Sequence, residues 1–504
     1  MSASDCPEWL RLLLTMLVTL LESLQKEVRE HRKMAEEIEK LRAENADLKA
    51  NAKKARKKEF GPKSERGTGS SGKTGGSASS DKVPPQPKAP RNGPAAMDRA
   101  ELPEEVIEHP VPPELLHCPL CNGRSFVAMP PDDSTEIELV LEHVKRLIHR
   151  RQKMACKCGG HIVTAPGPER VTEGGRYGAG MHAWLLVRRC MDGIPLNRLA
   201  DILRRSSAPI SVSTLNDLFH AAAAKLLPLY ELIVARIRGA LVVHGDETPF
   251  RVVAPFKCEI AFLWVFTSQT DVLIVHSESR SGDTPMEILR DSTGFLVADG
   301  YTGYNQVTET QRRKRQGCMT HARRKFKEAQ HNHPFEARWM LGHIALLYAM
   351  EAQIKCEKLQ GTLVHKTVRD GVCRQITQNM RSWLDEQKQT VRPKSLLGIA
   401  IRYMHKQWAR LTLFLDHVEL PMDNNPAERE LRRPVIGRKN SLFAKNHDSA
   451  RRYAIASTLV LTCRKLGVDP IQYLIWVLPR IGGHSQHRLH ELLPHACQEV
   501  QLAA

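Results

Sequence analysis

Leu241-Val242-Val243-His244-Gly245-Asp246-Glu247-Thr248-Pro249 is an apolar, β-branched run that breaks into an acidic, turn-like stretch. Downstream, Phe250–Val253, Ile260–Phe266 and Val272–Val275 are rich in β-branched and aromatic residues with short breaks, the composition of buried strands. Pro285–Leu289 reads as a short helix, and Phe295-Leu296-Val297-Ala298 as a further strand ending at Asp299-Gly300-Tyr301. The order is three strands, a helix and a fourth strand. Asp246 lies just past the first strand and Asp299 at the end of the fourth. If those two strands are neighbours, the carboxylates face each other at one edge of a sheet. Such a pair repels, and each raises the other's pKa, unless cations sit between them. Two divalent ions held about 3.5–4 Å apart relieve the repulsion, activate a water or 3′-hydroxyl and stabilise the leaving oxygen.

A third carboxylate completes such a site, and the candidate segment is Met422-Asp423-Asn424-Asn425-Pro426-Ala427-Glu428-Arg429-Glu430-Leu431-Arg432-Arg433-Pro434. Asn425 reads as an N-cap, Pro426 as the first helical residue and Glu428 as the third, with Arg429, Arg432 and Arg433 placed to meet phosphates. The same spacing is also a capping box, in which Glu428 would bond its own helix end. Taken singly, each of the three acids is more often a turn or cap residue than a ligand; their joint order and setting favour the metal site.

The 504-residue chain is too long for one ordinary core. Its net charge of +18 is clustered: residues 49–66, 311–327 and 429–452 each hold eight Lys or Arg, against two, none and two acidic residues. Clusters in separate parts of the chain suit a long polyanion such as double-stranded DNA. Candidate contacts are Arg323, Arg324 and Lys325 in the second cluster, and Arg429, Arg432, Arg433, Arg438 and Lys439 in the third. The apolar run Leu10–Leu21 contains Arg11 and is too short to span a membrane. The expectation is a cytoplasmic, nucleoid-associated protein with no membrane partner.

Leu10, Leu14, Leu17, Leu21, Leu24 and Val28, then Ile38, Leu41, Asn45 and Leu48, make a once-broken heptad seam, either a self-associating coiled coil or one amphipathic helix packed on its own chain. We assign the coiled coil to 8–58 and a flexible basic linker, rich in Gly, Ser, Pro and Lys, to 59–100. Cys118-Pro-Leu-Cys121 and Cys156-Lys-Cys158 are the close pairs among twelve cysteines, and four thiolates make a closed tetrahedral Zn²⁺ site in a module spanning 101–168. Gly123 and Gly159 let amides approach the sulfurs. Region 169–239 is helical. Leu196–Arg205 and a second helix capped by Ser213 suit either a helix-turn-helix or two ordinary packed helices, and Pro228 interrupts the second.

The chain resembles the transposases of insertion sequence family 66. The resemblance rests on His244-Gly-Asp246-Glu-Thr-Pro, Ala298-Asp299-Gly-Tyr-Thr-Gly-Tyr-Asn, Cys318-Met-Thr-His321-Ala-Arg-Arg-Lys-Phe, Asn424-Asn-Pro-Ala-Glu428-Arg-Glu-Leu-Arg, Gly437-Arg-Lys-Asn-Ser-Leu-Phe443, Thr462-Cys-Arg-Lys-Leu-Gly-Val-Asp-Pro470, Phe60-Gly-Pro-Lys-Ser-Glu65 and the cysteine pairs. It implies an α/β multidomain protein: a coiled coil and zinc-binding module, then a ribonuclease-H-like catalytic core (240–335 and 421–482) split by a helical insertion (336–420), then a C-terminal tail (483–504). It further implies an Asp-Asp-Glu triad at Asp246, Asp299 and Glu428 using Mg²⁺ or Mn²⁺, two ions per site, with cleavage and joining of DNA at the element's terminal repeats and in a target. Small accessory proteins encoded by the same element are implied partners. His321 reads near the end of a fifth strand, as a contact to the scissile phosphate or as a buried structural residue. Glu247 and Glu430 are the carboxylates most easily mistaken for ligands. The segment after Phe443 lacks the glycine-rich turn expected there. Two rival functions share this sequence: a nuclease that cuts without joining, and a non-catalytic DNA-binding regulator derived from a transposase.

Overall fold

The computed structural model describes residues 104–140, 143–254, 257–309 and 313–496. The expected coiled coil (8–58), the linker (59–100) and the end of the tail (497–504) lie outside the described residues. Among the described residues no single helix is long and apolar enough to cross a membrane.

The first sheet is mixed. Strand β1 (Glu104–His109) runs parallel to β3 (His143–Cys156), and β2 (Phe126–Val140) pairs antiparallel with β3, from Phe126 opposite Cys156 to Val140 opposite His143. The register shifts between Met129 and Asp132, where Pro130-Pro131 has no amide hydrogens to donate. Strand β4 (Ile162–Thr164) continues along the edge of β3 that β1 occupies. This long hairpin was not legible in the sequence. Its charged residues pair across strands, as Lys145 does with Glu105, and hide the alternation of a half-buried strand.

Four helices follow: α1 (Ala179–Cys190), α2 (Leu196–Arg205), α3 (Val212–Lys225) and α4 (Leu227–Gly239). The expected cap at Ser213 falls instead on Ser211, whose hydroxyl accepts from the Thr214 amide at 3.1 Å. Pro228 sits in the first turn of α4, which bends 51° away from α3. The buried faces of α2 (Leu199, Ala200, Leu203) and α3 (Leu215, Leu218, Phe219, Ala222) join the main core.

The second sheet has the order β7-β6-β5-β8-β9, built from β5 (Val242–Val253), β6 (Cys258–Thr267), β7 (Val272–Ser277), β8 (Gly294–Ala298) and β9 (Arg313–Gly317). The first three strands in sequence pair antiparallel; β8 runs parallel to β5, and β9 parallel to β8. Helix α5 (Asp283–Leu289) makes the crossover into β8, and α6 (Asn305–Glu309) precedes β9. The fully buried Leu263, Trp264, Val265 and Phe266 make β6 apolar on both faces, as a covered central strand requires. Helices α7 (Met319–Ala329), α8 (Pro334–Cys356), α9 (Leu363–Val368), α10 (Arg374–Thr390) and α11 (Leu396–Leu411) fill the long interval before α12 (Asn425–Asn440), α13 (His447–Leu466) and α14 (Pro470–Arg480). Helix α13 covers the edge strand β7: Thr458 and Thr462 accept from the Ile274 and Val272 amides at 2.9 and 3.1 Å, closing an edge that would otherwise invite pairing. Asn446, in the segment without a glycine-rich turn, caps α13 by accepting from the Ser449 amide. The described part of the tail packs down through buried Leu489, Leu492 and Leu493.

Part of the central basic cluster faces inward. Arg313 is 1% exposed; it donates to Ser292 Oγ and to the carbonyls of Phe295, Arg238 and Ala240. Arg315, also buried, donates to Asn305 Oδ1 and to the carbonyls of Asp299 and Tyr301. Clustered charge in sequence is therefore not all surface charge. Arg369 is a third internal arginine, on a π turn (Arg369–Cys373) joining α9 to α10. It forms a two-pronged ion pair with Glu351 at 2.7 and 2.8 Å and donates to the carbonyls of Phe414, His417 and Leu420, just upstream of α12. Removing one partner of such a buried pair leaves the other groups unsatisfied, so Arg369→Ala should destabilise the fold by about 3–5 kcal/mol. Denaturant unfolding of the variant checks this; an unchanged midpoint would show that the loop is held by other contacts.

Candidate active site and candidate metal centre

The condition posed by the sequence, that the first and fourth strands be neighbours, is met. Val242, Val243 and His244 of β5 lie opposite Phe295, Leu296 and Val297 of β8 in parallel register. Asp246 follows two residues after His244, still within β5, and Asp299 two residues after Val297, one past the end of β8. The pairing thus brings both aspartates to the same end of two adjacent parallel strands. Asp246 is not past the strand, as its turn-like neighbours suggested. It lies within β5, because pairing with β6 continues from His244 opposite Thr267 to Val253 opposite Cys258. Beyond His244 the other side of β5 has lost β8, which tolerates Pro249.

Burial, then the charge of Glu247, and behind it the charges of Asp299 and Glu428 push the Asp246 carboxyl up to about 7. The charges of two predicted ligands, Asp299 and Glu428, thus reach the third, Asp246. Asp246 Oδ1 accepts from the Glu247 amide at 2.9 Å, and Asp299 Oδ1 from the Tyr301 amide at 2.9 Å. Asp246 is oriented by the next amide along β5, and Asp299 by the turn after β8.

Glu428 is placed differently from the expectation. The N-cap is Asn424, not Asn425, and no side-chain capping bond forms, so the capping-box role is vacant. Pro426 is the second helical residue and Glu428 the fourth, its amide donating to Asn424 O. The Asn424 side chain is fully buried and used elsewhere: Nδ2 donates to Gly245 O at 2.7 Å, and Oδ1 accepts from His244 Nδ1 at 3.2 Å. Burial pushes the His244 imidazole down to about 4, so it stays neutral and keeps a proton to donate. Asn424 thus latches the start of α12 to β5 beside Asp246. Asn424→Ala leaves the His244 donor and the Gly245 carbonyl buried and unpaired, a loss of about 1–3 kcal/mol for each group. Thermal unfolding should show it, together with a fall in activity larger than that of a solvent-face α12 variant. Equal activity losses would mean that the latch does not position α12.

A second set of contacts holds α7 to the same place. The Met319 amide donates to Met422 O at 2.9 Å, and the Asn424 amide to Cys318 Sγ at 3.3 Å. His321 therefore sits in the first turn of α7, not on the fifth strand, which ends at Gly317. Its Nδ1 lies 3.7 Å from Glu428 Oε1.

Glu247 and Glu430 are both held internally. Glu247 accepts from Arg280 at 2.6 and 2.9 Å and from the Tyr304 hydroxyl at 2.8 Å. The buried Glu430 pairs with Arg464. Sequence reading did not single out Arg280, whose partner Glu247 lies 33 residues away. Tyr304 and Arg315 fell within the Asp299 motif and a basic cluster without being recognised as supports of the acidic residues.

The four cysteines converge at one end of the first sheet. Cys118 and Cys158 sulfurs are 3.6 Å apart, Cys121 and Cys156 3.5 Å, and Cys156 and Cys158 3.3 Å; all four lie within 4.8 Å of one another and none is in a disulfide. A tetrahedron with bonds of about 2.3 Å has edges of roughly 3.8 Å, so this set fits a single Zn²⁺. Chiefly the Cys121 amide draws the Cys118 thiol down to about 6, while Cys121 is raised and Cys156 is pushed up to about 12 among its sulfur neighbours, so without a metal the cluster favours a single thiolate at Cys118. Gly123 eases a close approach, since a Cβ there would lie 3.2 Å from Cys121 Sγ.

The description Transposase IS66 family matches residues 174–452, and IS66 C-terminal element matches 458–495. The chain belongs to the IS66 transposase family. Among relatives, the uncharacterized protein y4hP of Sinorhizobium fredii is 30% identical over 423 residues, 79% of this chain and 75% of its own length. The uncharacterized protein y4jD of the same organism is 27% identical over 424 residues, 79% of this chain and 82% of its own. The family match begins beyond the cysteine pairs and takes in Asp246, Asp299, His321 and Glu428.

In this IS66-family transposase the arginines and lysines expected to meet DNA divide into two kinds. Arg323, Arg324, Arg429, Arg432 and Lys439 are exposed. Arg433 donates to Met191 O at 3.3 Å, Arg438 to Thr248 Oγ1 at 2.6 Å and to Pro249 O, and Lys325 lies over the Tyr403 ring. These last three also brace the fold.

Proposed function

We propose that this IS66-family transposase binds the ends of an insertion sequence and catalyses DNA strand cleavage and strand transfer through Asp246, Asp299 and Glu428. The carrying observation is that Asp246 and Asp299 each follow, by two residues, the last paired positions of the adjacent parallel strands β5 and β8, with the charges of Asp299 and Glu428 bearing on Asp246. Three antiparallel strands followed by two parallel ones, with the first strand central, support a ribonuclease-H-like core. The interval between Asp299 and Glu428, helical over most of α7–α11, supports the insertion.

A pair of Mg²⁺ or Mn²⁺ ions fits these residues. The acids repel one another without counter-charge, and Glu428 Oε1 is buried without a hydrogen-bond partner. When bound, such ions activate the attacking oxygen and stabilise the leaving one. The protein's own groups do the rest. The Glu247 and Tyr301 amides orient the two aspartates, and Asn424 fixes the helix that carries Glu428. Exposed Arg323, Arg324, Arg429, Arg432 and Lys439 face the phosphates, with Lys325, Arg433 and Arg438 adding charge behind them. Water attacks the phosphodiester at each element end and frees a 3′-hydroxyl. That hydroxyl attacks the target strand in a second in-line displacement at the same site. Incubating the protein with the element's own ends, with and without divalent metal, tests the reading. Joined products are expected; cutting without joining would favour a nuclease, and binding without cutting a regulator.

The heptad spacing of 8–58 supports reading that segment as the self-association element, and the Gly-, Ser-, Pro- and Lys-rich composition of 59–100 supports reading it as a linker. Deleting residues 1–60 should lower both the oligomeric state and paired-end activity more than hydrolysis of a single bound end. Sedimentation checks this: an unchanged mass distribution at equal concentration would reassign Leu10–Leu48 to packing on its own chain. DNA ends and target, and small proteins of the same element, are the proposed partners.

A further inference from the structure

His321 and Glu428 come from helices that start side by side, and their facing atoms are matched. His321 Nδ1 and Glu428 Oε1 are 3.7 Å apart, beyond hydrogen-bonding distance, and each is buried without a hydrogen-bond partner. The two side chains are about one quarter exposed while the facing Nδ1 and Oε1 are covered, so the gap lies just beneath the surface. The neighbouring donors are committed. Cys318 Sγ lies within 4.8 Å of both but accepts from the Asn424 amide. Asp423 accepts from Tyr348 and from Asn425. Two orphaned donors, one nitrogen and one oxygen, thus face a common point. Donors bound to one ion at about 2.1 Å lie roughly 3.0–3.4 Å apart, so a few tenths of an ångström of side-chain rotation completes the pair.

We infer that His321 Nδ1 is itself a ligand of the divalent cation held by Glu428, making that position a mixed nitrogen-oxygen site. The inference rests on the metal-binding reading of Glu428. Imidazole binds first-row transition ions better than Mg²⁺, which prefers an all-oxygen shell. The site therefore selects Mn²⁺ over Mg²⁺, and His321 sets that preference. A hydrogen bond from His321 that merely steadies Glu428 would not put nitrogen on the metal.

Mn²⁺ alone is the probe, added to the full-length protein with its zinc retained. Pulsed electron paramagnetic resonance should show ¹⁴N coupled directly to bound Mn²⁺. His321→Gln should abolish that coupling and weaken Mn²⁺ binding by about tenfold or more while barely altering Mg²⁺ binding. Mn²⁺ bound without ¹⁴N coupling, or with a coupling that survives in His321→Gln, overturns the inference and leaves the carboxylate site standing. A Mn²⁺ affinity that is negligible in the wild type and unchanged in Glu428→Gln overturns both.

Discussion

Asp299→Asn should leave folding and end binding intact and lower strand cleavage by about a thousandfold or more. The substitution is nearly isosteric, and Asn Oδ1 can still accept from the Tyr301 amide, so the turn after β8 survives. What it removes is one of the charges that bear on Asp246. An electrostatic contribution of several kcal/mol to a metal-assisted displacement corresponds to about three powers of ten in rate. Asp246→Asn and Glu428→Gln should behave alike, because three ligands serving one site fail together. Measuring gel-shift affinity beside cleavage of the same labelled end separates chemistry from binding. Wild-type cleavage by Asp299→Asn would end the triad assignment. A variant that lost binding and folding together would point to a structural role for Asp299.

Stripping zinc, or replacing Cys156 by Ser, should disorder the cysteine-bearing end of the first sheet and leave the five-stranded sheet folded. Purified protein should contain about one zinc per chain, as a closed four-sulfur site demands. Cys156 closes β3 directly opposite Phe126, so its sulfur couples the metal to the β2–β3 pairing. Hydrogen exchange should then rise sharply over 118–128 and 154–164. Protection in β5–β8 should hold, since their core of Val243, Leu263, Val265 and Leu296 contains none of the four cysteines. Protein isolated without zinc yet fully protected over those segments would make the four thiols ordinary cysteines.

Local patterns carried much of the architecture. Leu196–Arg205 was readable as a helix from its apolar spacing and matches α2 at both ends. The strands around Asp246 and Asp299 were readable because each buries a continuous apolar run. The β2–β3 hairpin was not, since its charged positions are neutralised by residues on neighbouring strands, as Arg151 is by Asp132. The basic run before Cys318 likewise looked like surface, although Arg313 and Arg315 spend their donors on buried carbonyls.

By itself, the sequence singled out the candidates for the chemistry: Asp246 and Asp299 next to apolar strand runs, Glu428 at a helix start, and two cysteine pairs. These depend on neighbours within a few positions along the chain. Tertiary structure alone decided that β5 and β8 are adjacent and in equal register, that Asn424 and not Asn425 caps α12, and that Glu247 and Glu430 are bound internally. It also brought His321 to Glu428. Each of these depends on partners tens to hundreds of residues away, as between Asn424 and Gly245. Such pairings are set by how sheets and helices pack, and no local periodicity encodes them.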